Sequence, residues 1–290
     1  MHRGLIESRR AFSDLDFWPP QRSEINPEGW LAQFDPDDRA IAEELLESFV
    51  FFNQRHTEQL FTSAFLSLSG VSYDGPYPRA AWKAYRDTVL VSFPGSEDQN
   101  PTDSGHGFAR LARKKFSLPQ PNIYRPADLV GHLRGRSDPV AVLFVDDILG
   151  SGDQFLDCWR ELIYVGDAGT SLEQELERLD ARVDFVVAVA TSTGVAELKE
   201  HAPRVTVAAG SLLDPQASAR HPHTRVVTDH PPNDLALFLE KYADRAGYPS
   251  DEMWGHKSLA TTVAFEHGVP DTTLPIFWHA DNWIPLRRQS

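Results

Sequence analysis

The segment that most constrains the fold is an apolar run that ends in two acids and a glycine-rich turn. Residues 140–145 are apolar throughout, and the run is too short and too rich in β-branched side chains for a helix. Such a run is typical of a parallel strand that is covered on both faces. Asp146 and Asp147 follow it directly, and residues 150–152 form the turn. The sequence therefore predicts two solvent-facing carboxylates at the carboxyl end of a central strand, where open α/β sheets bind ligands.

The turn after the two acids has the composition of a phosphate cradle. Glycine and serine leave the main chain uncovered, so its N–H groups and the start of the next helix can converge on an anion. Carboxylates bind vicinal ribose hydroxyls or a hydrated Mg²⁺, and we therefore predict a site for a sugar phosphate with Mg²⁺ held by Asp146 and Asp147. The alternative is a structural turn in which an aspartate caps the next helix. The predicted phosphate-binding residues here are Gly150, Ser151, Gly152, Asp153 and Gln154.

Composition sets wider limits on the class of protein. With 290 residues and 41% hydrophobic side chains, the chain is long enough for a real core and about two domains. Its net charge of -14 argues against a surface for duplex DNA, because nonspecific affinity for DNA comes from neutralising phosphates.

The single cysteine, Cys158, lies on an amphipathic stretch and is expected to be buried. No apolar run is long enough for a membrane span and the N-terminus is too charged for a signal peptide, so we expect a cytoplasmic protein.

Strand and helix patterns alternate from Thr88 onward, which predicts a mostly parallel sheet flanked by helices. Strands are predicted at 88–93, 140–145, 183–190, 204–209 and 225–228, with 258–265 as a further candidate. Helices are predicted at 105–116, 126–134, 153–164, 172–180, 194–202 and 233–246. Ser171 with Gln174 fits a capping box, and Pro126 fits the first turn of a helix.

The N-terminal part is predicted to be helical and acidic. Residues 1–23 show no sustained period and are expected to form an arm that packs on another part. Asp35 is a candidate cap for a helix whose apolar stripe reaches Phe52, and a second helix is expected after Thr57. Residues 24–68 hold nine acids against two arginines, which should repel duplex DNA, so we predict protein contacts there.

Two further turns of small residues follow predicted strands. Ser104 and Gly105 begin a helix one βαβ step before the acid pair and are a second candidate anion site. A solvated loop before a basic helix face is the alternative. Arg110 and Lys114 are four residues apart, so one face of that helix could present both to a phosphate or to solvent. The turn at 191–194 either lines the same crevice or only caps the following helix.

Two motifs resemble known protein families. The strand, acid pair and Gly-Ser-Gly turn resemble the PRPP-binding signature of type I phosphoribosyltransferases. Residues 270–278 resemble the ending of the phosphoribosyltransferase-like family of bacterial conflict systems, through Pro270 and the run from Thr273 to Trp278. Asp271 and Thr272 replace the usual amides. The family's N-terminal winged-helix-like region corresponds to residues 30–68, so the resemblance spans about 28–278.

The resemblance implies a fold and a site. The fold would be an arm with a winged-helix-like unit at 1–75, followed at 76–290 by a type I phosphoribosyltransferase-like α/β domain with a C-terminal hood. Asp146 and Asp147 would be catalytic and Ser104 with Gly105 would hold pyrophosphate. Lys257 in the hood would stabilise the departing pyrophosphate, with a surface lysine as the alternative.

The resemblance leaves two functions open. The first is a Mg²⁺-dependent phosphoribosyltransferase or PRPP hydrolase that acts on a nucleotide-related substrate in antiphage defence. The second is a degenerate nucleotide-sensing or scaffold subunit that docks a protein partner from a defence operon through the N-terminal unit. The sequence names neither the acceptor nor the partner.

Overall fold

A computed structural model describes residues 2–15, 17–18, 25–69, 79–95, 104–165 and 168–288. The chain forms two compact units, which we name the terminal unit (residues 1–57 and 213–290) and the sheet unit (residues 58–212). The boundary predicted near residue 75 falls at 70–78, outside the described residues, and stays a prediction. In the described ranges no helix combines the length and the apolar character that crossing a membrane requires.

Helices and strands alternate through the sheet unit, as predicted. The helices are α1 His2–Asp14, α2 Pro27–Leu31, α3 Arg39–Ser48, α4 Gln54–Ser67, α5 Arg79–Thr88, α6 Ser104–Phe116, α7 Pro126–Arg134, α8 Asp153–Arg160, α9 Leu172–Arg178, α10 Ser192–His201 and α11 Pro232–Ala246. The strands are β1 Val50–Phe52, β2 Leu90–Ser92, β3 Ala141–Leu149, β4 Ile163–Val165, β5 Ala168–Thr170, β6 Arg182–Thr191, β7 Val205–Leu213 and β8 Val263–Phe265. The predicted α/β class is confirmed, and the predicted arm at 1–23 contains helix α1.

A four-stranded sheet in the order β2-β3-β6-β7 forms the centre of the sheet unit. Strand β3 pairs in parallel with β2 on one side and with β6 on the other. One face is covered by α7, α8, α9 and α10, whose apolar side chains form a single core with Val142, Phe144 and Phe185. Helices α4, α5 and α6 pack on one another through aromatic contacts such as the stacked rings of Phe65 and Phe116. The central strand is therefore buried, as its composition predicts.

Local signals predicted most boundaries of the sheet unit. Helix α7 covers the predicted residues with Pro126 in its first turn, and both hydrogen bonds of the Ser171 and Gln174 capping box are present. The predicted helix 153–164 is too long, because α8 ends at Arg160 and residues 163–165 pair with β5 in a hairpin. Cys158 is buried as predicted, and burial raises the pKa of its thiol to about 12. The thiol is therefore protonated and unreactive at neutral pH.

The C-terminal motif forms the core of the terminal unit. Leu274, Ile276 and Phe277 are fully buried, and the ring of Phe277 stacks on Trp30 with centroids 5.4 Å apart. The indole Nε1 of Trp30 donates to the carbonyl oxygen of Ile276 at 2.8 Å. Thr273 is also buried, and its hydroxyl donates to the carbonyl of Val263. The motif thus joins the two ends of the sequence in one hydrophobic core.

Long-range pairing overrides two local predictions in this unit. Phe52 belongs to β1, which pairs in parallel with β8, and not to the stripe of a helix. The candidate strand 258–265 is shortened to Val263–Phe265. The predicted cap is also wrong, because α3 begins at Arg39 and the carboxylate of Asp35 accepts hydrogen bonds from Arg245 and Lys241. These two cations hold the pKa of Asp35 well below its usual range.

Residues 225–228 were predicted as a strand but form a turn. Val226 and Val227 are buried in the core, which explains their strand-like pattern. Their neighbours instead bind the carboxylate of Glu44 on α3, which accepts from the backbone N–H groups of Thr228 and Asp229 and lies 2.5 Å from Nδ1 of His230. Burial raises the pKa of Glu44, but these hydrogen bonds outweigh it and leave the pKa lowered. The turn is therefore held by one carboxylate.

Replacing Glu44 by glutamine should reduce the free energy of unfolding by about 2 kcal/mol at neutral pH, because charge-assisted hydrogen bonds become neutral ones. The lowered pKa means that the ionised group stabilises the fold above its unfolded pKa of about 4.3, and that this contribution is lost as the pH falls through the folded pKa. Urea unfolding at neutral and acidic pH measures the difference in the free energy of unfolding between wild type and Glu44→Gln. A difference that stays constant down to pH values below the folded pKa would contradict this assignment.

Candidate functional site

The candidate site lies where β3 runs past the end of β2. The last paired residue of β2 is Ser92, opposite Phe144. Strand β3 continues beside β6 as far as Leu149. Residues 145–149 therefore have β6 on one side and, within the described chain, no β2 partner on the other. We call this position at the carboxyl ends of the parallel strands the notch, and it is the position at which such sheets bind ligands.

The two acids lie inside β3, and this corrects the prediction that the strand ends at Val145. Only 2% of Asp146 and 9% of Asp147 is exposed, so neither is the solvent-facing residue that was predicted. One oxygen of each carboxylate accepts the N–H of the next residue, at 3.0 Å from Asp147 and 2.8 Å from Ile148. Asp146 pairs with Val187 of β6, which lies in the core that α8 covers, so its side chain shares the face of Phe144.

The turn after β3 has the conformation that its glycines predict. Gly152 has a φ of +93°, which confirms the need for glycine at this position, and it precedes the first residue of α8. A Cβ there would lie 3.0 Å from Cδ1 of Leu198, so α10 occupies the space of a side chain. The hydroxyl of Ser151 accepts the N–H of Asp153 at 3.3 Å, and the side chain of Gln154 is exposed. The turn therefore leads directly into α8, whose first N–H group, that of Asp153, is capped by the hydroxyl of Ser151.

Thr191 and Gly194 hold this turn in place, a role that sequence reasoning missed. The Thr191 hydroxyl donates to the carbonyl of Gly150 at 2.7 Å and accepts the N–H of Gly194 at 2.9 Å. A Cβ on Gly194 would lie 2.3 Å from the Gly150 carbonyl oxygen, so the two turns are in direct backbone contact. Thr191 caps α10, as one of the two predicted alternatives proposed. The only available signal was a Thr-Ser-Thr-Gly turn at the end of the neighbouring strand.

Replacing Thr191 by valine should lower the free energy of unfolding by about 2 kcal/mol, because the methyl group keeps the shape but leaves two backbone groups without a partner. Thr191→Ser is the matched control, since it keeps the hydroxyl. Thermal melting of both variants measures the effect. Equal losses in the two variants would show that the hydroxyl does not hold the turn.

Helix α6 begins beside the end of β2. A Cβ on Gly105 would lie 2.8 Å from Cβ of Phe93, so its first turn packs closely on the residue after β2. The loop at 96–103, which completes the predicted pyrophosphate site with Ser104, lies outside the described residues. Arg110 and Lys114 are exposed, and at 1.5 Å per residue they lie about 9 and 15 Å along the helix from its start. Their binding of phosphate stays a prediction.

Lys257 belongs to the terminal unit. It lies in a short turn between Gly255 and Leu259, has a φ of +52° and is exposed. Its predicted role with pyrophosphate stays a prediction.

Asp146 and Asp147 are the residues of this site that would hold Mg²⁺ arriving with a phosphorylated sugar, and this stays a prediction. Within the ranges that the structure describes, no group of three or more His, Cys, Asp or Glu side chains is placed to hold a metal ion. Mg²⁺ commonly keeps several waters and is bound by one or two carboxylates together with substrate phosphates. Asp146 or Asp147 would supply such a carboxylate, and the substrate the remaining oxygens.

The notch, the buried acid pair and the glycine turn on a parallel sheet define a phosphoribosyltransferase-like α/β protein. The chain belongs to the PRTase-CE family, whose family model matches residues 27–289. No curated protein matches the chain. Both sequence motifs lie within the matched range.

Proposed function

We propose that the protein binds PRPP in the notch beside β3 and either transfers its phosphoribosyl group to an acceptor or hydrolyses it. The observation that carries this proposal is the extension of β3 past β2, with Asp146 and Asp147 beside the turn that Thr191 holds. In the proposed complex the two carboxylates accept hydrogen bonds from the ribose hydroxyls. The turn and the first N–H groups of α8 bind the 5′-phosphate.

The chemistry that this arrangement supports is cleavage at the anomeric carbon. The bond to pyrophosphate breaks through an oxocarbenium-like state, so the residues of the chain act mainly by fixing the ribose and by binding the leaving pyrophosphate. For that second role we propose the first turn of α6, with Ser104 and Gly105. Bound Mg²⁺ would neutralise charge on the pyrophosphate. We place this activity in bacterial antiphage defence, the setting that the resemblance implies, with a protein partner at the acidic N-terminal unit.

An assay with PRPP tests the proposal. The full chain is incubated with PRPP with and without Mg²⁺, pyrophosphate release is followed, and the melting temperature is measured in parallel. We expect PRPP to raise the melting temperature only when Mg²⁺ is present, because a ligand that binds only the native state raises the apparent stability of the protein. Stabilisation without pyrophosphate release would favour the sensor or scaffold alternative. Wild-type protein that is not stabilised by millimolar PRPP with Mg²⁺ would exclude the PRPP assignment.

A further inference from the structure

The outer side of helix α6 carries cations and no acid, although the net charge of the chain is -14. No residue of α6 is an aspartate or a glutamate, and residues 110–115 hold four arginine or lysine side chains. At about 100° per residue, four basic positions lie within one arc of roughly 100°, away from the apolar side chains that α6 buries. They are His106, Arg110, Arg113 and Lys114, which we name the cationic face.

Two cations of this face lack a neutralising carboxylate in the part of the chain that the structure describes. Arg110 and Lys114 are exposed, and neither makes an ion pair with a described residue. Lys115, just beside the face, is paired with Glu58 at 2.8 Å. Lys83 on α5, another exposed cation of the sheet unit, is also in an ion pair. The cationic face therefore presents charge to a partner, whereas nearby lysines do not.

The length of the face indicates what kind of anion it fits. At physiological ionic strength the Debye length is about 8 Å, so an anion on α6 is attracted by the face and hardly repelled by distant acids. Arg113 keeps its charge, because it donates to the neutral amide of Gln120 at 3.0 Å. From His106 to Lys114 the helix rises about 12 Å, which is longer than a pyrophosphate group. The ligand that fits the whole face is therefore an extended polyanion.

We propose that the cationic face binds a single strand of nucleic acid through its phosphates. One helix offers a narrow strip of charge, whereas a duplex needs a broader cationic surface, which the net charge of -14 opposes. Contacts to phosphates carry no sequence information, so binding should not depend on sequence.

The position of α6 connects this strand to the notch. Helix α6 packs on β3, and its first turn lies against Phe93, the residue that follows β2. A strand that lies along the cationic face can therefore reach the notch with one end. The acceptor of the proposed reaction is then a nucleotide at the end of a strand, and this part of the inference rests on the proposed function.

Fluorescence anisotropy of the full chain with labelled single strands of dT and of U tests the proposal. We expect the logarithm of the affinity to fall linearly with the logarithm of the salt concentration, with a slope of about 0.7 for each phosphate neutralised. Arg110→Gln and Lys114→Gln remove one charge each from exposed positions. Each should lower the slope by about 0.7 and weaken binding about fivefold at roughly 0.1 M salt. Lys83→Gln is the matched control and should leave both quantities unchanged, because that lysine is already paired with Asp87.

The proposal is overturned if wild type binds neither strand at micromolar protein and low salt, or if Arg110→Gln and Lys114→Gln bind as tightly as wild type. Polyglutamate that displaces the labelled strand as well as unlabelled dT does would assign the face to an acidic protein instead.

PRPP-dependent stabilisation of the same variants separates this proposal from the proposed function. If PRPP does not stabilise wild type but strand binding is weakened in Arg110→Gln and Lys114→Gln, the PRPP site is refuted and the cationic face is supported. If both variants lose PRPP-dependent stabilisation and bind the strand like wild type, the cationic face is refuted and the two residues belong to the PRPP site.

Discussion

Asp147→Asn is expected to weaken PRPP binding about 100-fold or more while leaving the protein folded. Each hydrogen bond from a ribose hydroxyl to a charged carboxylate contributes about 1.5 to 3 kcal/mol, and every 1.4 kcal/mol corresponds to a tenfold change in affinity. The carboxamide oxygen of asparagine can still accept the N–H of Ile148, as Oδ1 of Asp147 does at 2.8 Å. Because Asp147 is only 9% exposed, removing its charge also removes an unfavourable desolvation. The melting temperature without ligand should therefore not fall.

Titration calorimetry with PRPP and Mg²⁺ measures this effect in Asp147→Asn and in Asp146→Asn. Asp153→Asn is the matched control, since it makes the same chemical change in the first turn of α8, outside the acid pair. Its effect should be much smaller. Unchanged PRPP affinity in both Asp146→Asn and Asp147→Asn would mean that the sugar phosphate binds elsewhere.

The central strand was predictable because its signal is local, but its end was not. A continuous β-branched run identifies a strand that is buried on both faces, whereas acids usually occur outside strands. Pairing with β6 continues past Asp146 and Asp147 and overrides that preference. The register of β3 against β6 depends on residues about 40 positions away, which no local pattern shows. The burial of the two acids follows from this longer strand.

In the terminal unit, pairing with distant residues limits prediction from local patterns even more. Strand β1 has only three residues, and its partner β8 lies more than 200 residues later in the chain. A local period therefore assigned Phe52 to a helix. Val226 and Val227 have the composition of a strand because they are buried, yet the backbone of the following residues is bound by Glu44. Burial was predictable in both places, while the hydrogen-bonding partners were not.

The residue types of the candidate site were predictable from the sequence, but the contacts that hold its turn in place were not. The acid pair and the positive φ of Gly152 follow from the motif itself. The contact of Thr191 with Gly150 depends on the distance between two turns that lie about 40 residues apart. A sequence can indicate that Thr191 caps a helix, but it cannot show which carbonyl its hydroxyl also binds.

Gly194→Ala should lower the free energy of unfolding by about 3 kcal/mol and abolish PRPP-dependent stabilisation. In an ordinary helix this change would stabilise the protein by about 1 kcal/mol, because alanine has the higher helix propensity. Here the new Cβ would lie 2.3 Å from the carbonyl oxygen of Gly150 and 2.9 Å from Cγ of Leu149, so the backbone itself must shift. The shift would displace the turn that we propose as the phosphate site. A displacement of about 1 Å can cost roughly 100-fold in function.

Gly131→Ala is the matched control in the same unit. Gly131 lies within α7, is exposed, and a Cβ there would meet nothing within 4 Å, so this variant should be more stable than wild type by about 1 kcal/mol. Melting temperatures are measured with and without PRPP and Mg²⁺. Relative to wild type, the melting temperature should fall in Gly194→Ala and rise in Gly131→Ala, although both variants replace a helical glycine by alanine. If Gly194→Ala melts like Gly131→Ala, the two turns are not in close contact. If Gly194→Ala is destabilised but still stabilised fully by PRPP, the turns touch as described and the phosphate does not bind at residues 150–152.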